Sequence, residues 1–578
     1  MSQFAVGIDL GTTNCALAYT NLDAEPAVAL SEIPQLTGPN EITPATLLPS
    51  FLYIPGERDF PPNSTALPWD SAPPYVTGKL AQRRGAEIPS RLVSSAKSWL
   101  SYAAVDRSAA TLPLHASDGI AKISPVDASA AYLTHLKDAW NFAHPDQPLE
   151  DQQVLITVPA SFDAVARELT ERAAAQAGLR NVAMLEEPQA AFYAWLERHP
   201  EWRQLVNKGD LILVVDIGGG TTDFTLIAVT EHDGQLALER VAVGEHILLG
   251  GDNIDLALAH QMAADLAARN VKIDASQLQA LWSNCRLAKE RLLSPEHAGE
   301  DAATVTILGK GSSLIGGTIK ATLTRAVLEQ TLASFFPVVD ANDHPQRTKR
   351  AALQELGLPY AQDAAVTRHL AKFLNGAAPT HVLFNGGVLH APFVRNRILE
   401  VLNRWRQGSP IKHLTGEDLM HSVAKGAAYY GAVRQGQGVR IRGGIAQSYY
   451  VGIESAMPAV PGMPALLKAL AVAQFGTEEG TTTTVPNREF GLVVDEPAEF
   501  RFFCSNTRKN DAPGTLIEEV TDEFQELSPV EVLLPAESNT PAVIPVNFET
   551  VITETGMLQV WCVARDGRRW KLEYNTRN

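Results

Sequence analysis

Val6-Gly7-Ile8-Asp9-Leu10-Gly11-Thr12-Thr13-Asn14 and, far downstream, Val214-Val215-Asp216-Ile217-Gly218-Gly219-Gly220-Thr221-Thr222-Asp223 carry one design twice. In each copy an apolar strand delivers an Asp, glycines and threonines turn the chain, and a second apolar run leads away. The residue types suit phosphate. Glycine lets the backbone approach an anion without a Cβ in the way, N–H and Thr hydroxyls donate to phosphate oxygens, and an Asp can hold the water shell of Mg²⁺. One copy alone reads as an ordinary β-turn. Two copies read as an internal duplication whose facing hairpins clamp one nucleotide. Neither copy has the Gly-x-x-x-x-Gly-Lys-Ser/Thr order, nor a dinucleotide fingerprint with a helix behind it.

The 578 residues allow two to four domains, and an apolar fraction of 45% is ordinary for a folded chain. Cys15, Cys285, Cys504 and Cys562 have no Cys-x-x-Cys spacing, so they read as buried thiols in a reducing compartment rather than as zinc ligands or a disulfide scaffold. A net charge of −17 and the lack of a basic, aromatic-rich patch argue against nucleic acid as a partner. With no long apolar run and no basic leader ahead of one, neither a membrane span nor secretion is expected, and the expected location is cytoplasmic.

Residues 34 to 75 are dense in proline and should run as extended pieces. Val154 to Pro159 reads as a buried strand, Asp163 to Gly178 and Gln277 to Leu293 as helices, and Val382 to Gly387 as a strand running into glycines. After Gln435-Gly436-Gln437-Gly438, a flexible joint, helix signals almost vanish. Short β-prone runs at Phe490 to Val494, Phe500 to Cys504, Val530 to Leu534 and Met557 to Ala564 predict a small β-sandwich. The expected organisation is an α/β nucleotide domain over 1–435, a linker over 436–446 and an all-β domain over 447–578.

These motifs, with Ile156-Thr157-Val158-Pro159-Ala160, Glu187-Pro188-Gln189-Ala190-Ala191, Leu249-Gly250-Gly251-Asp252 and Asn385-Gly386-Gly387, resemble those of the DnaK-type heat-shock chaperones, the seventy-kilodalton class of the actin and hexokinase superfamily. The resemblance implies an actin-like, duplicated ribonuclease-H-like ATPase domain followed by a β-sandwich that binds peptide. It implies ATP or ADP with Mg²⁺ as cofactors, with K⁺ as a further ion. On the matching positions, Asp9 and Asp216 hold hydrated Mg²⁺, Lys97 and Glu187 act beside the γ-phosphate, and Thr221 joins them as a catalytic hydroxyl. Gly11, Thr12, Thr13, Asn14, Gly218, Gly219, Gly220, Thr222, Gly250, Gly251, Lys289, Gly386 and Gly387 would contact nucleotide. Pro159 and Arg167 match the family's switch proline and the arginine that senses it. Taken singly, Lys97, Arg167 and Lys289 would each read as a solvated helix residue.

For the peptide, Ala456, Met457, Phe500 and Phe502 are candidates, with plain core packing preferred for the aromatics. The implied partners are extended apolar peptide segments, and a dedicated J-domain cochaperone or nucleotide exchange factor. The chain departs from the pattern at Arg286, where the family has Glu, at Val388-Leu389-His390, at Ala183, and in Val439-Arg440-Ile441-Arg442-Gly443-Gly444, which replaces an acidic, leucine-rich linker. The sequence runs only a little past Gly556 to Val560, so the family's helical lid is not expected within it. The alternative is a nucleotide-sensing module with negligible hydrolysis serving one partner. A small-molecule kinase is disfavoured, because the β-rich end has no role in one.

Overall fold

The computed structural model describes residues 2–102, 105–114, 116–117, 119–180, 182–232, 234–309, 317–346, 358–406, 408–416, 418–442, 444–445, 447–454, 467–478, 480–486, 489–494, 497–527, 530–533, 543–553 and 558–572. Two six-stranded sheets organise its first three quarters, each built outward from one of the two quoted hairpins. In the first, strand Phe4–Leu10 pairs antiparallel with Asn14–Asn21 and parallel with Gln153–Val158, which pairs with Val182–Glu186. In the second, Leu211–Ile217 pairs antiparallel with Thr222–His232 and parallel with His381–Asn385. The register repeats: Asp9 stands opposite Thr157, and Asp216 opposite Asn385. Their near-continuous apolar runs are buried on both faces, as strands covered by helices require.

Local signals set the helices. Asp163 caps Ala164–Gln176 by accepting from Ala166 N at 2.7 Å, and Asp274 caps Ala275–Leu293 in a reciprocal pair with Gln277. Helix Ser422–Arg434 ties the halves together. It lies so close to the first sheet that a Cβ on Gly7 would sit 2.3 Å from Ala424 O, and it crosses helix Glu187–Arg198 where a Cβ on Gly426 would sit 1.6 Å from Ala190 O. The proline-rich stretch forms the expected extended pieces, among them Ile33–Gly38 paired with Glu41–Ala45.

No helix follows Arg434 among the described residues. Gly436 and Gly438 take positive φ, and Ile441–Arg442 then adds a parallel strand to the edge of the second sheet beside Leu238 and Glu239. Beyond it, one five-stranded sheet holds Ser448–Glu454, Leu467–Ala473 and Phe502–Ser505, and another holds Val543–Ile552 and Leu558–Ala564. Val451, Leu470 and Phe502 of the one share a buried cluster with Val546, Phe548 and Val560 of the other, and that cluster continues into Ile156 and Leu169 of the first lobe. The run Phe500 to Cys504, expected as one strand, is split at Arg501: Pro497–Phe500 pairs with Val530–Leu533, while Phe502–Ser505 pairs with Ser448–Val451. Phe502 and Cys504 enter one buried cluster and Phe503 another, so both faces of this strand are covered and all three are buried.

Candidate functional site

The two hairpin tips meet. A Cβ on Gly219 would fall 1.7 Å from Thr13 Oγ1, and one on Gly220 2.9 Å from both Thr12 Cγ2 and Ser98 Oγ, so only glycine lets the loops approach this closely. Between them opens a cavity of about 610 Å³. Asp9, Gly11, Thr12, Thr13, Asn14, Lys97, Glu187, Asp216, Gly218, Gly219, Thr221, Gly251, Lys289, Gly386 and Gly387 all line it. Residues far apart in sequence thus converge on one space large enough for a nucleotide.

Its electrostatics follow from burial. Desolvation, reinforced by Glu187 and opposed by Lys97, raises the Asp9 carboxyl to about 7. Burial lifts Asp216 well above the carboxylate range, with Glu187 and Asp223 adding to the shift, although Asn385 Nδ2 donates to its Oδ2 at 2.9 Å. Glu187 and Asp223 are raised by burial as well. Against these acids stands Lys97, ion-paired with Glu187; burial works against its charge, yet Glu187 and Asp9 hold its ammonium above the ordinary lysine value. Asp9, Glu187 and Asp216 line the cavity around Lys97, and such a cluster of acids held away from water favours an added cation. Among the described residues no three His, Cys, Asp or Glu side chains gather tightly enough to ligate a metal directly. Asp9 and Asp216 both line the cavity and could hold a divalent cation through its water shell.

Two hydroxyls at the meeting tips, Thr13 Oγ1 and Ser98 Oγ, are buried with no hydrogen-bond partner among the described residues. Gly386, at φ 96°, lies so close that a Cβ would stand 2.4 Å from Ile217 O, which packs the glycine turn under the second hairpin. Gly220, Thr222 and Gly250 do not line the cavity. Thr222 in particular is fully buried and donates its hydroxyl to Leu249 O at 2.7 Å, so its role is to brace the loop rather than to touch a ligand.

Toward the far end, Arg286 pairs with Asp252 and with Asp255, and Lys289 pairs with Asp255 at 2.8 Å and donates to Gly251 O at 3.2 Å. His390 also lines this end; its Nε2 is buried with no partner among the described residues, and burial lowers its pKa. Sequence reasoning missed Asp252 and Asp255, which line the cavity, and Asp223 and Ser98, which stand behind its lining. Asp223 and Asp252 stood inside quoted motifs, and the signal for Asp223 was its alternation with Thr221 along one strand face.

Pro159 ends the strand behind Asp9, and Arg167 Nη2 donates to Glu186 Oε1 at 3.0 Å. Glu186 is also paired with Arg240, whose second Nη nitrogen donates to Gly444 O just past the edge strand. Of the peptide candidates, Phe502 is 1% exposed and belongs to the core, Phe500 packs half-buried against it, and Ala456 and Met457 lie outside the described residues. None of the described helices is long and apolar enough to cross a membrane.

A model of the Hsp70 protein family matches residues 80–442. The chain is 31% identical over 343 residues to a chaperone protein HscA homolog of Bordetella pertussis, covering 57% of this chain and 46% of that protein. It is 28% identical over 323 residues to the chaperone protein DnaK of Thermoplasma volcanium, with 55% and 45% covered. A longer alignment, 28% identical over 440 residues, relates it to a chaperone protein HscA homolog of Burkholderia lata, covering 74% of this chain and 58% of that protein. The chain spans about half the length of the curated relatives it matches.

Proposed function

The chain belongs to the Hsp70 family, and we propose that it is an ATP-hydrolysing chaperone with an actin-like nucleotide domain over 1–435, a linker over 436–446, and a β-sandwich over 447–578 that holds extended apolar peptide. The observation that carries the reading is the convergence of Asp9, Lys97, Glu187 and Asp216 on the cavity between two glycine tips. Phosphoryl transfer to water needs charge neutralisation, a positioned water and exclusion of bulk solvent. Mg²⁺, when bound, would neutralise phosphate charge. Asp9 and Asp216 would orient its waters, and the Thr12 and Thr13 hydroxyls with the glycine-loop N–H groups would cradle phosphate oxygens. Lys97, kept charged and aimed by Glu187, would face the γ-phosphate. Lys289 and Gly386-Gly387 would border the adenosine. The Arg167–Glu186–Arg240 chain running from the Pro159 strand to Gly444 supports coupling between nucleotide and the β-rich part.

J-domain cochaperones, exchange factors and a cytoplasmic setting belong to the same proposal, by analogy with relatives named as chaperones. A second reading, nucleotide binding with negligible hydrolysis in the service of one partner, is favoured by the far end of the cavity, where both Arg286 and Lys289 are already committed to acids. Phosphate release from Mg-ATP by the full chain, with and without an apolar peptide, separates the two. Lys97→Ala is expected to lower turnover at least about a hundredfold, the scale of losing one charge-stabilising group. ATP binding without release in the unaltered chain would establish the second reading.

A further inference from the structure

His246 stands between the two lobes, partly buried and outside the cavity's lining. Its Nδ1 lies 2.6 Å from Ser161 Oγ, its Nε2 lies 3.0 Å from Ser101 Oγ, and Ser161 Oγ donates to Asp223 Oδ1 at 2.8 Å. Asp223 also accepts from the Thr221 hydroxyl, and Thr221 lines the cavity. A chain of bonds therefore runs Ser101, His246, Ser161, Asp223, Thr221. It crosses the lobes, with the serines from the first and the remaining residues from the second.

Counting hydrogens weighs the two ring tautomers against each other. Ser161 has one hydrogen and gives it to Asp223, so the bond at Nδ1 is filled only if Nδ1 carries a hydrogen and donates it to Ser161 Oγ. The imidazole is neutral: burial lowers its pKa to about 4, although Asp163 and Glu187 pull the other way, and Lys97 and Arg107 face it as cations. A neutral ring with hydrogen on Nδ1 has a bare Nε2, which the Ser101 hydroxyl can fill only by leaving Ser98 O, so this tautomer takes a donor from a backbone carbonyl whereas the other takes one from the Asp223 carboxylate. That hydroxyl also lies 2.9 Å from Ser98 O, so it serves the ring or the helix of Lys97, not both. Were the hydrogen on Nε2, Ser161 would have to turn toward Nδ1 and Asp223 would lose a donor.

We propose that His246 is a positioning residue for ATP hydrolysis: as its Nδ1–H tautomer it fixes Ser161 onto Asp223, and Asp223 in turn fixes the Thr221 hydroxyl at the cavity wall. A Thr hydroxyl that donates to Asp223 offers the cavity only acceptor lone pairs, the group that a water hydrogen needs. The proposal rests on the hydrolytic reading above and adds residues that neither touch nucleotide nor line its cavity.

Asn places an amide nitrogen where Nδ1 stands, whereas Gln places it at Nε2. Steady-state phosphate release from Mg-ATP, with ATP Kd measured alongside, is therefore compared for the full chain, His246→Asn, His246→Gln and Ser161→Ala. His246→Gln and Ser161→Ala are expected to lose about tenfold in kcat with Kd within about twofold, while His246→Asn stays within about threefold of the unaltered chain. Independently, long-range ¹H–¹⁵N correlation of histidine-labelled protein is expected to show Nδ1 protonated on the ring whose signals vanish in His246→Asn. Equal losses in the Asn and Gln variants, or an Nε2–H tautomer, overturn the proposal. If the unaltered chain binds ATP and releases no phosphate, the hydrolytic reading fails and the role in hydrolysis fails with it, while the tautomer alone decides whether the bond chain exists.

Discussion

The two hairpins share a motif and a register, yet their packing and charge differ. Gly7 in the first occupies the place that Val214 occupies in the second, two residues before the acid. Gly7 meets the backbone of helix Ser422–Arg434, while Val214 packs in a buried apolar cluster with Ile212 and Leu383. Asp9 has Lys97 as a counter-charge; the groups that shift Asp216 are burial and other acids, with only Asn385 in relief. The two turns are alike in sequence and register, but the first hairpin's strand presses its backbone onto a helix and its acid faces a lysine, while the second strand packs side chain on side chain and its acid is shifted by other acids.

The sharpest way to break this contrast is to give the first hairpin the second one's side chain. Even Gly7→Ala places a Cβ 2.3 Å from Ala424 O and 2.4 Å from Ala428 N, both backbone atoms that cannot swing aside. A loss of at least about 3 kcal/mol in urea unfolding is expected. An intermediate effect should separate the acids. Below about pH 4 the Asp216 carboxyl is protonated in folded and unfolded chains alike and costs nothing. As pH rises, the unfolded chain ionises first while the raised folded-state pKa holds the native proton, so stability without nucleotide falls. Asp216→Asn should therefore stabilise the nucleotide-free chain by about 1–3 kcal/mol at pH 8, with the gain vanishing near pH 4. Asp9→Asn should gain less, because it also strips a partner from Lys97. Thermal melts across pH with both variants measure the difference. The smallest effect is expected at Gly218, where a Cβ would meet nothing nearer than Thr221 O at 3.9 Å. Gly218→Ala should shift nucleotide-free stability by no more than about 0.5 kcal/mol, and a larger loss would mean that Gly218 is held as tightly as Gly7.

Much of the architecture was legible before any coordinates. Period and punctuation placed Phe4–Leu10, Gln153–Val158, Ala164–Gln176 and Ala275–Leu293 because apolar runs and capping acids act over a few residues. Asp9 and Asp216 were legible as candidates because the repeated hairpin places an acid before its glycines twice, whereas Lys97 and Glu187 were candidates only through the family resemblance, since singly neither departs from an ordinary surface residue. Where reading went astray, the cause was long-range. Thr222 has the same hydroxyl as Thr221, and the alternation of a strand alone points one at the cavity and the other at Leu249 O. Phe502 was open to two readings until a second sheet covered it, and Arg501 carried no sign that the strand would change partners there.

The amino-acid sequence by itself determined the duplicated turn, the chemistry the turn can support, and the change from helices to strands after Arg434, since each depends on the conformational preferences of neighbouring residues. The tertiary structure alone decided how the acids share charge, that His246 stands between two serines, and that Glu186 bridges Arg167 and Arg240. Those properties arise where distant segments exclude water from one another, and the strength of a charge or hydrogen bond depends on what has replaced the water around it.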